Sequence, residues 1–232
     1  MAAVRMNIAV YSNYCGNERN AHANVNGNMV GTYPHFFYTN NGIIASRMQD
    51  SGWQPRILNL PVSDSSDESC MQAKEAKIIV PEELRKFDIV VFRDAKMGGL
   101  DLAQLPGIID KMRSRGMWAA FPVHARGANA EYDCSMGQLR YKVQAARIRR
   151  YMDEEFAKGG RDVMPIHFGC NLNIRDMRHQ DTTPACAMWM EHTNRVGLQD
   201  QISFHFVAQY FPMVLPIGQE FGFRKSEVGV PE

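Results

Sequence analysis

The sequence lacks the features that mark a secreted, disulfide-linked or membrane-spanning chain. Its five cysteines, at positions 15, 70, 134, 170 and 186, are scattered, and they form no Cys-x-x-Cys pair and no Cys/His pair at zinc-finger spacing. No apolar run approaches the ~20 residues of a membrane helix, and residues 1–13 turn polar too early for a signal peptide. No Asn-x-Ser/Thr site occurs either. These absences predict a cytoplasmic protein with free thiols and no membrane span.

Two further absences limit the function classes. The 26 basic residues nearly balance the 25 acidic ones, so no excess charge favours nucleic acid or an anionic membrane as a partner. Neither Gly-x-Gly-x-x-Gly nor Gly-x₄-Gly-Lys-Ser/Thr is present, which removes the main support for a dinucleotide or P-loop site. With 232 residues and 45% apolar composition, the chain is long enough for one sizeable core.

Strand and helix patterns alternate along the chain. The hydrophobic pattern predicts strands at 6–12, 35–40, 53–60, 87–92, 117–123 and 166–175, a helix or turn at 42–52, and helices at 70–84, 102–116, 141–157, 183–196 and 200–210. This alternation indicates a single α/β domain of the Rossmann-like type over residues 1–232, with ligands bound beyond the carboxyl ends of its strands. An irregular loop at 13–34, with six Asn and three Gly, and a tail at about 218–232 complete the prediction.

A buried strand ends directly on charged residues in the segment FDIVVFRDAK (87–96). Residues 12–13 end the first strand, so both groups lie where such a sheet binds a nucleotide. Asp94 can hold a divalent cation that grips a diphosphate, while Arg93 and Lys96 can bind the phosphates directly. The simpler interpretation is that Asp94 caps the following turn and pairs with Arg93, and the spacing leaves both open.

Two later segments also carry chemically active side chains. His124, Arg126 and Glu131 follow a strand, which suggests a substrate-binding role, although for His124 alone a solvated loop with a hydrogen-bonded histidine is the favoured interpretation. Asp200 stands at the start of a helix, where capping is its simplest role. Four large apolar residues have helical spacing and indicate core packing rather than a ligand site: Met188, Trp189, Phe204 and Phe206.

Taken in order, several segments resemble one known family. These segments are IAVYSNYCG, FFYTNN, GWQPRIL, AKEAKIIVPEELRKFDIVVFRDAKM, FPVHAR, RYMDEEFAKGG, FGCNLNIRDMRH, WMEHTNR and QDQISFHF. Their order, from about residue 7 to about residue 210, is similar to that in the plant and bacterial TOD1/MUCI70-like glycosyltransferases. The resemblance implies a GT-A fold: a mainly parallel mixed central sheet flanked by helices, with a nucleotide sugar over the carboxyl ends of its strands.

The resemblance also implies roles for individual residues. Tyr11, Ser12 and Asn13 would line the nucleotide base pocket, Lys74 and Lys77 would approach the nucleotide, and Asn171, Arg175 and His179 would match a strand-plus-arginine motif. Asp200 and Gln201 would match an Arg-Asp-Gln motif in which Gln199 replaces the arginine. His124, Arg126 and Glu131 would face the donor sugar or the acceptor. Asp200, His124 and Arg126 are thus the expected catalytic residues.

Asp94 would be the metal ligand, with Mn²⁺ or Mg²⁺ as the cofactor. The family's Asp-Gly-Asn/Lys stretch reads Asp94-Ala95-Lys96 here, so one carboxylate stands where many GT-A enzymes have two.

The resemblance implies transfer of a hexose or pentose from a nucleotide sugar, a UDP-sugar first, to a glycan or other hydroxyl acceptor. Plant relatives favour a retaining route, in which Asp200 would support the sugar cation or act as nucleophile; in an inverting route it would be the general base. A second hypothesis is a catalytically reduced module that binds a nucleotide or glycan. A third, a nucleotidyltransferase, is disfavoured because no Gly-rich basic loop follows the first strand.

Overall fold

Within the residues that the structure describes, eight strands form one mixed sheet. This computed structural model describes residues 6–19, 32–97, 102–164 and 166–218. The strands are β1 (Ile8–Tyr14), β2 (His35–Thr39), β3 (Gln54–Ile57), β4 (Ile89–Arg93), β5 (Ala119–His124), β6 (His167–Phe168), β7 (Leu172–Asp176) and β8 (Val214–Ile217). The helices are α1 (Gly42–Asp50), α2 (Ser66–Ile78), α3 (Leu105–Ser114), α4 (Ala128–Ser135), α5 (Leu139–Lys142), α6 (Ala145–Ala157), α7 (Thr182–Val196) and α8 (Asp200–Tyr210), with 3₁₀ turns at Glu82–Leu84 and Leu102–Gln104.

The strand order is β3-β2-β1-β4-β7-β5-β6, and β8 also pairs with β5. Strand β1 runs parallel to β2 and β4, β2 runs parallel to β3, and β5 runs parallel to β8. Strand β7 is antiparallel to both β4 and β5, so these two point the same way. The predicted single α/β domain with a mixed central sheet is therefore confirmed. Its topology brings the carboxyl ends of β1, β4 and β5 to one edge.

Helices cover both faces of the sheet, which explains the continuous apolar runs in its strands. On one face, α1 and α3 pack on side chains such as Val10 and Val91. On the other face, α2 packs on Tyr11 and Phe92 of β1 and β4. Helices α7 and α8 cover the same face, where they pack on β5 around Phe121. The face that carries α2, α7 and α8 also forms the candidate site.

Three of the four apolar residues predicted for the core, Trp189, Phe204 and Phe206, are buried there, and Met188 packs against the core partly buried. Phe204 stacks on Phe121 with ring centroids 4.2 Å apart, and Trp189 lies 4.6 Å from Phe204. Trp189 and Phe204 have no exposed surface, and Phe206 is 1% exposed.

Several local predictions differ from the structure. Helix α2 begins at Ser66, four residues before its predicted start, because the Ser65 hydroxyl oxygen accepts the Glu68 N–H and caps the helix. Helix α4 and strand β8 have no counterpart among the predicted elements. Residues 20–31 of the predicted loop and 219–232 of the predicted tail lie outside the described residues. In the described part of the chain, no helix combines the length and apolarity that a bilayer crossing requires.

Candidate functional site

A cavity of about 170 Å³ opens at the carboxyl ends of β1 and β4. Its lining consists of Asn13, Cys70, Ala73, Lys74, Lys77, Asp94, Lys96, Arg140, Tyr141, Leu198 and Asp200. Four of these side chains are cationic and two are anionic, which leaves a formal excess of two positive charges. Basic groups in a concave, partly buried site favour anionic ligands. The cavity is therefore suited to a phosphate-bearing molecule.

Two lysines of α2 meet one carboxylate of α8. Lys74 and Lys77 stand three residues apart and share one side of the helix. Lys74 Nζ lies 2.6 Å from Asp200 Oδ1, and Lys77 Nζ lies 2.8 Å from Asp200 Oδ2. The side chain of Asp200 is only 10% exposed. Its carboxylate therefore binds both ammonium groups, while Gln199 is the N-cap and makes no side-chain capping bond.

Asp94 faces the same lysine from the end of β4. Its Oδ1 lies 3.5 Å from Lys77 Nζ, and its side chain is 25% exposed. The alternative pairing with Arg93 is not formed, because the Arg93 guanidinium lies 5.0 Å above the Trp53 ring. Successive strand residues point to opposite faces, and this alternation separates the two side chains.

The ion pairs decide the protonation states in the cavity. Burial alone would raise the pKa of Asp200, but Lys74 and Lys77 outweigh it and hold that pKa well below its usual range. Burial alone would lower the pKa of Lys77, but Asp200 and Asp94 raise it above the ordinary value. Burial raises the pKa of Tyr141 to about 12. At neutral pH the lysine and the carboxylate are charged and the tyrosine is neutral.

Tyr11 and Arg175 bind the carbonyls at the C-terminal end of α2. The Tyr11 hydroxyl donates to the Lys77 carbonyl at 2.9 Å. Arg175 donates to the same carbonyl at 3.0 Å, to the Ile78 carbonyl at 2.7 Å, and to the Tyr11 hydroxyl oxygen. Both side chains are fully buried. The guanidinium thus donates hydrogen bonds to carbonyls that the helix end leaves without a partner. Its positive charge also stabilises the negative end of the helix dipole.

The structure brings together about half of the residues predicted for the site. Asn13, Lys74, Lys77, Asp94, Lys96 and Asp200 line the cavity, whereas Tyr11, Ser12, Arg93, Asn171 and Arg175 do not. Asn13 is held by a bond from its Nδ2 to the Ala73 carbonyl at 2.6 Å. Ser12 donates its hydroxyl to the Arg93 carbonyl, and Asn171 accepts the Asp94 N–H through its own carbonyl. His179, on the turn after β7, is also outside the lining.

Sequence reasoning missed Arg140 and Tyr141 as parts of the lining. Both lie on the short helix α5, and the Arg140 guanidinium stacks 4.5 Å from the Tyr141 ring centroid. The basic and aromatic side chains at 140–142 were a signal in the sequence, but the predicted helix at 141–157 includes most of this run in its amphipathic pattern.

The second predicted group forms its own cluster beside the start of α8. His124 Nε2 lies 2.9 Å from Glu131 Oε2, and Arg126 Nη1 lies 3.6 Å from the same oxygen. Gln199 Nε2 donates to the other Glu131 oxygen at 3.3 Å. With Gln201 and other residues, His124 lines a small space of about 10 Å³, which is enough for one water molecule. The cluster and the larger cavity thus meet at residues 199–201.

Two histidines behind this cluster have defined tautomers. The Met164 N–H donates to His167 Nε2 at 3.0 Å, so a neutral His167 carries its proton on Nδ1. That Nδ1 lies 3.2 Å from His205 Nδ1, which must accept, and His205 Nε2 donates to the Arg161 carbonyl at 2.7 Å. A second proton on either ring would break one of these hydrogen bonds. Burial lowers the pKa of both His167 and His205.

These lowered pKa values predict a stability that depends on pH. The unfolded chain takes up protons below its histidine pKa of about 6.5, whereas the folded histidines stay neutral to lower pH. The stabilisation is therefore complete above about pH 6.5 and is lost as the pH falls below it. Urea unfolding at pH 7.5 and 5.5 should show a lower midpoint at pH 5.5. The loss should be smaller in His205→Gln, and an equal loss in both proteins would contradict the assignment.

The cavity does not fit a metal ion held by Asp94 and Asp200. A divalent cation needs several oxygen ligands around one point. Here the Lys77 ammonium stands at that point, 2.8 Å from one carboxylate and 3.5 Å from the other. Among the described residues, no group of three or more His, Cys, Asp and Glu side chains is placed to hold a metal.

Comparison with known proteins relates the chain to glycosyltransferases through its fold. No protein-family model and no curated protein matches the sequence. The structure of mouse xyloside xylosyltransferase 1 in its apo form matches with a TM-score of 0.53 at 11% identity, over 91% of this chain and 84% of that one. The apo structure of the bifunctional glycosyltransferase WbbM matches with a TM-score of 0.52 at 12% identity, over 95% of this chain and 40% of that one. The chain therefore has the GT-A fold that these glycosyltransferases share.

Proposed function

We propose that the protein is a glycosyltransferase that moves a sugar from a nucleotide-sugar donor to a hydroxyl group of a glycan acceptor. The observation that carries the proposal is the cavity at the carboxyl ends of β1 and β4, with its four cationic and two anionic side chains. In sheets of this kind, nucleotides bind beyond the carboxyl ends of the strands. The GT-A fold of the chain supports the same conclusion. Membership of the TOD1/MUCI70-like family remains our hypothesis.

The diphosphate of the donor would lie against the cationic side chains. Lys96 and Arg140 are exposed at the rim, and Lys74 and Lys77 line the interior. Ammonium and guanidinium groups form strong, charge-assisted hydrogen bonds to phosphate oxygens. Asn13 and Tyr141 offer an amide and an aromatic face for the nucleoside. UDP is the donor nucleotide that the family resemblance suggests, and it is the first one to test.

Asp200 would act on the transferred sugar by its charge. Glycosyl transfer passes through an oxocarbenium-like state, which a fixed carboxylate stabilises. A general base needs a pKa near the working pH, whereas the pKa of Asp200 lies well below the usual carboxyl range. Both of its oxygens also contact ammonium groups. This geometry favours electrostatic support, and it agrees better with a retaining route than with an inverting one.

The cluster of His124, Arg126 and Glu131 would serve the acceptor. It lies at the carboxyl end of β5, of which His124 is the last residue, at the same sheet edge as the cavity. His124 and Arg126 both contact Glu131, and neither is fully buried. Such a group can orient a sugar hydroxyl and exchange a proton with it. The hexose or pentose transferred, and the cytoplasm as the place of action, remain predictions from the sequence.

A second candidate function is a nucleotide- or glycan-binding module without transferase activity. The observation that favours it is the pair of salt bridges on Asp200. Its carboxylate oxygens lie 2.6 Å from Lys74 Nζ and 2.8 Å from Lys77 Nζ, which leaves the carboxylate little freedom to contact a sugar. A donor-turnover assay separates the two candidates. Release of UDP from a UDP-sugar supports the enzyme, whereas tight UDP binding with no turnover of any UDP-sugar or acceptor supports the module.

Calorimetric titration with UDP tests the site itself. In the double variant Lys96→Met/Arg140→Met, we expect the Kd for UDP to rise at least about tenfold and the Kd for uridine to stay unchanged, because only the phosphate contacts are removed. Lys111→Met/Arg115→Met is the matched control, since these exposed side chains near the end of α3 carry the same charge but lie outside the cavity. Equal UDP affinity in both variants would contradict the proposed site.

A further inference from the structure

The Lys77 ammonium lies between two carboxylates at the point where a divalent cation would bind. We infer that Lys77 supplies the fixed positive charge that receives the donor diphosphate, so that the protein binds its donor without a metal ion. This inference rests on the proposed function, because it assigns a role within the same donor site. It also departs from the Mn²⁺ or Mg²⁺ that the sequence resemblance implied.

The hydrogen-bonding capacity of Lys77 allows this role. An ammonium group has three N–H donors and no acceptor. Nζ donates to Asp94 Oδ1 at 3.5 Å and lies 2.8 Å from Asp200 Oδ2, so these two contacts use at most two donors. Lys77 also lines the cavity. One donor therefore remains for a phosphate oxygen while the contacts to both carboxylates are kept.

The position of the ammonium is fixed by its surroundings. The side chain of Lys77 is 9% exposed, and its Nζ lies 5.4 Å from the centre of the Phe92 ring. Tyr11 and Arg175 both bond to the Lys77 carbonyl, so the backbone from which the side chain starts is also held. Beside a diphosphate, a metal ion stabilises the negative charge of the phosphate oxygens from a fixed point. A buried and doubly paired ammonium meets the same requirement.

The charge balance of the cavity is consistent with a lysine in place of a metal. Lys74 and Lys77 balance the charges of Asp94 and Asp200, and Lys96 and Arg140 add two further positive charges, so the diphosphate meets a net positive cavity in which Lys77 is the fixed, buried contact. A divalent cation at Asp94 would lie beside the Lys77 ammonium and be repelled by it. The carboxylates thus hold lysines in place and are not left available for metal coordination.

The first experiment uses the native protein and needs no variant. UDP is titrated by calorimetry into protein treated with EDTA, and again with Mn²⁺ added in place of the chelator. We expect the Kd for UDP to change less than twofold between the two conditions. A Kd that rises tenfold or more in EDTA and is restored by Mn²⁺ would overturn the inference while leaving the donor site intact.

The second experiment tests the position of the charge without any nucleotide. Mn²⁺ alone is titrated into each protein, and the free ion is followed by electron paramagnetic resonance. Native protein should bind no Mn²⁺ in the cavity, whereas Lys77→Met should gain one site between Asp94 and Asp200. That site should disappear in Lys77→Met/Asp94→Asn. Lys96→Met removes a rim ammonium by the same change and should gain no site.

The outcomes separate this inference from the proposed function. An Mn²⁺ site in native protein that Asp94→Asn removes would overturn the inference. Each variant is first checked by thermal melting, and a folded Lys77→Met that gains no Mn²⁺ site would also overturn the inference. If native protein binds no UDP in either condition but the Mn²⁺ titrations behave as expected, the donor assignment is wrong and the ammonium still occupies the cation position.

Discussion

Asp200→Asn is expected to destabilise the protein by about 3–5 kcal/mol, because it breaks buried ion pairs and leaves their cations without a full counter-charge. Lys74 and Lys77 each lose a contact of less than 3 Å to a carboxylate oxygen. Sugar transfer should fall by about 10²–10³-fold, the usual effect of removing one electrostatic group from an active site. The Kd for UDP should change far less, since the lysines themselves remain.

Urea unfolding, UDP titration and donor turnover measure the three effects of this change. Glu155→Gln is a matched control, because Glu155 is likewise buried, at 1% exposed, and is paired with two cations, Arg195 and Lys158, on the α6 side of the molecule. It should lose comparable stability and keep UDP binding and turnover. Full turnover in Asp200→Asn would refute the assigned role, and a complete loss of UDP binding would show that the carboxylate only supports the fold.

Trp189→Ala should lower the free energy of unfolding by about 3–5 kcal/mol, the range for removing a large buried aromatic side chain. Trp189 has no exposed surface and packs against Phe204 and Phe121. Its indole N–H also donates to the Asp200 carbonyl at 3.0 Å. This change therefore removes both core volume and a bond that positions the start of α8.

The milder change Trp189→Phe separates these two contributions. It keeps most of the ring volume and removes the N–H, while the Ser203 hydroxyl still donates to the Asp200 carbonyl at 2.8 Å. A stability loss of about 0.5–1.5 kcal/mol is therefore expected, the net contribution of one hydrogen bond. Turnover should fall because the carboxylate of Asp200 is less well positioned. Trp118→Phe is the control, since this equally buried indole donates to the Phe211 carbonyl instead. A similar loss of turnover in both variants would show that Trp189 acts only through stability.

The sequence predicted those parts of the fold in which the hydrophobic pattern is strong. Helix α8 was predicted with its observed bounds, and β4 was predicted within two residues, because a run of buried apolar residues or a long amphipathic pattern leaves few alternatives. The beginning of α2 was missed although Ser65-x-x-Glu68 is a capping-box pattern. The antiparallel direction of β7 could not be predicted, since strand pairing depends on contacts far apart in the sequence.

The candidate site was predictable as a set of residues but not as an arrangement. Asp94 was identified from its position after a buried strand, and Lys74 and Lys77 from the family resemblance. No local pattern indicated that both lysines bind Asp200, which is 126 positions away from Lys74. Tyr11 was expected beside a nucleotide base, but the alternation of the strand directs its ring into the core. The position of Asp94 after a buried strand indicated the edge of the sheet where the site lies. Which charged side chains meet at that edge depends on the way α2 and α8 come together.

The pairing of α2 with α8 also has a consequence during synthesis of the chain. The ribosome adds the lysines of α2 long before Asp200, and a domain generally folds as a unit. Until then, burying two ammonium groups would cost free energy with only Asp94 to offset it. The end of α2 should therefore stay open to water in a nascent chain, and its amide protons should exchange freely in a fragment that stops before residue 200. Closure of the cavity would be among the last events of folding.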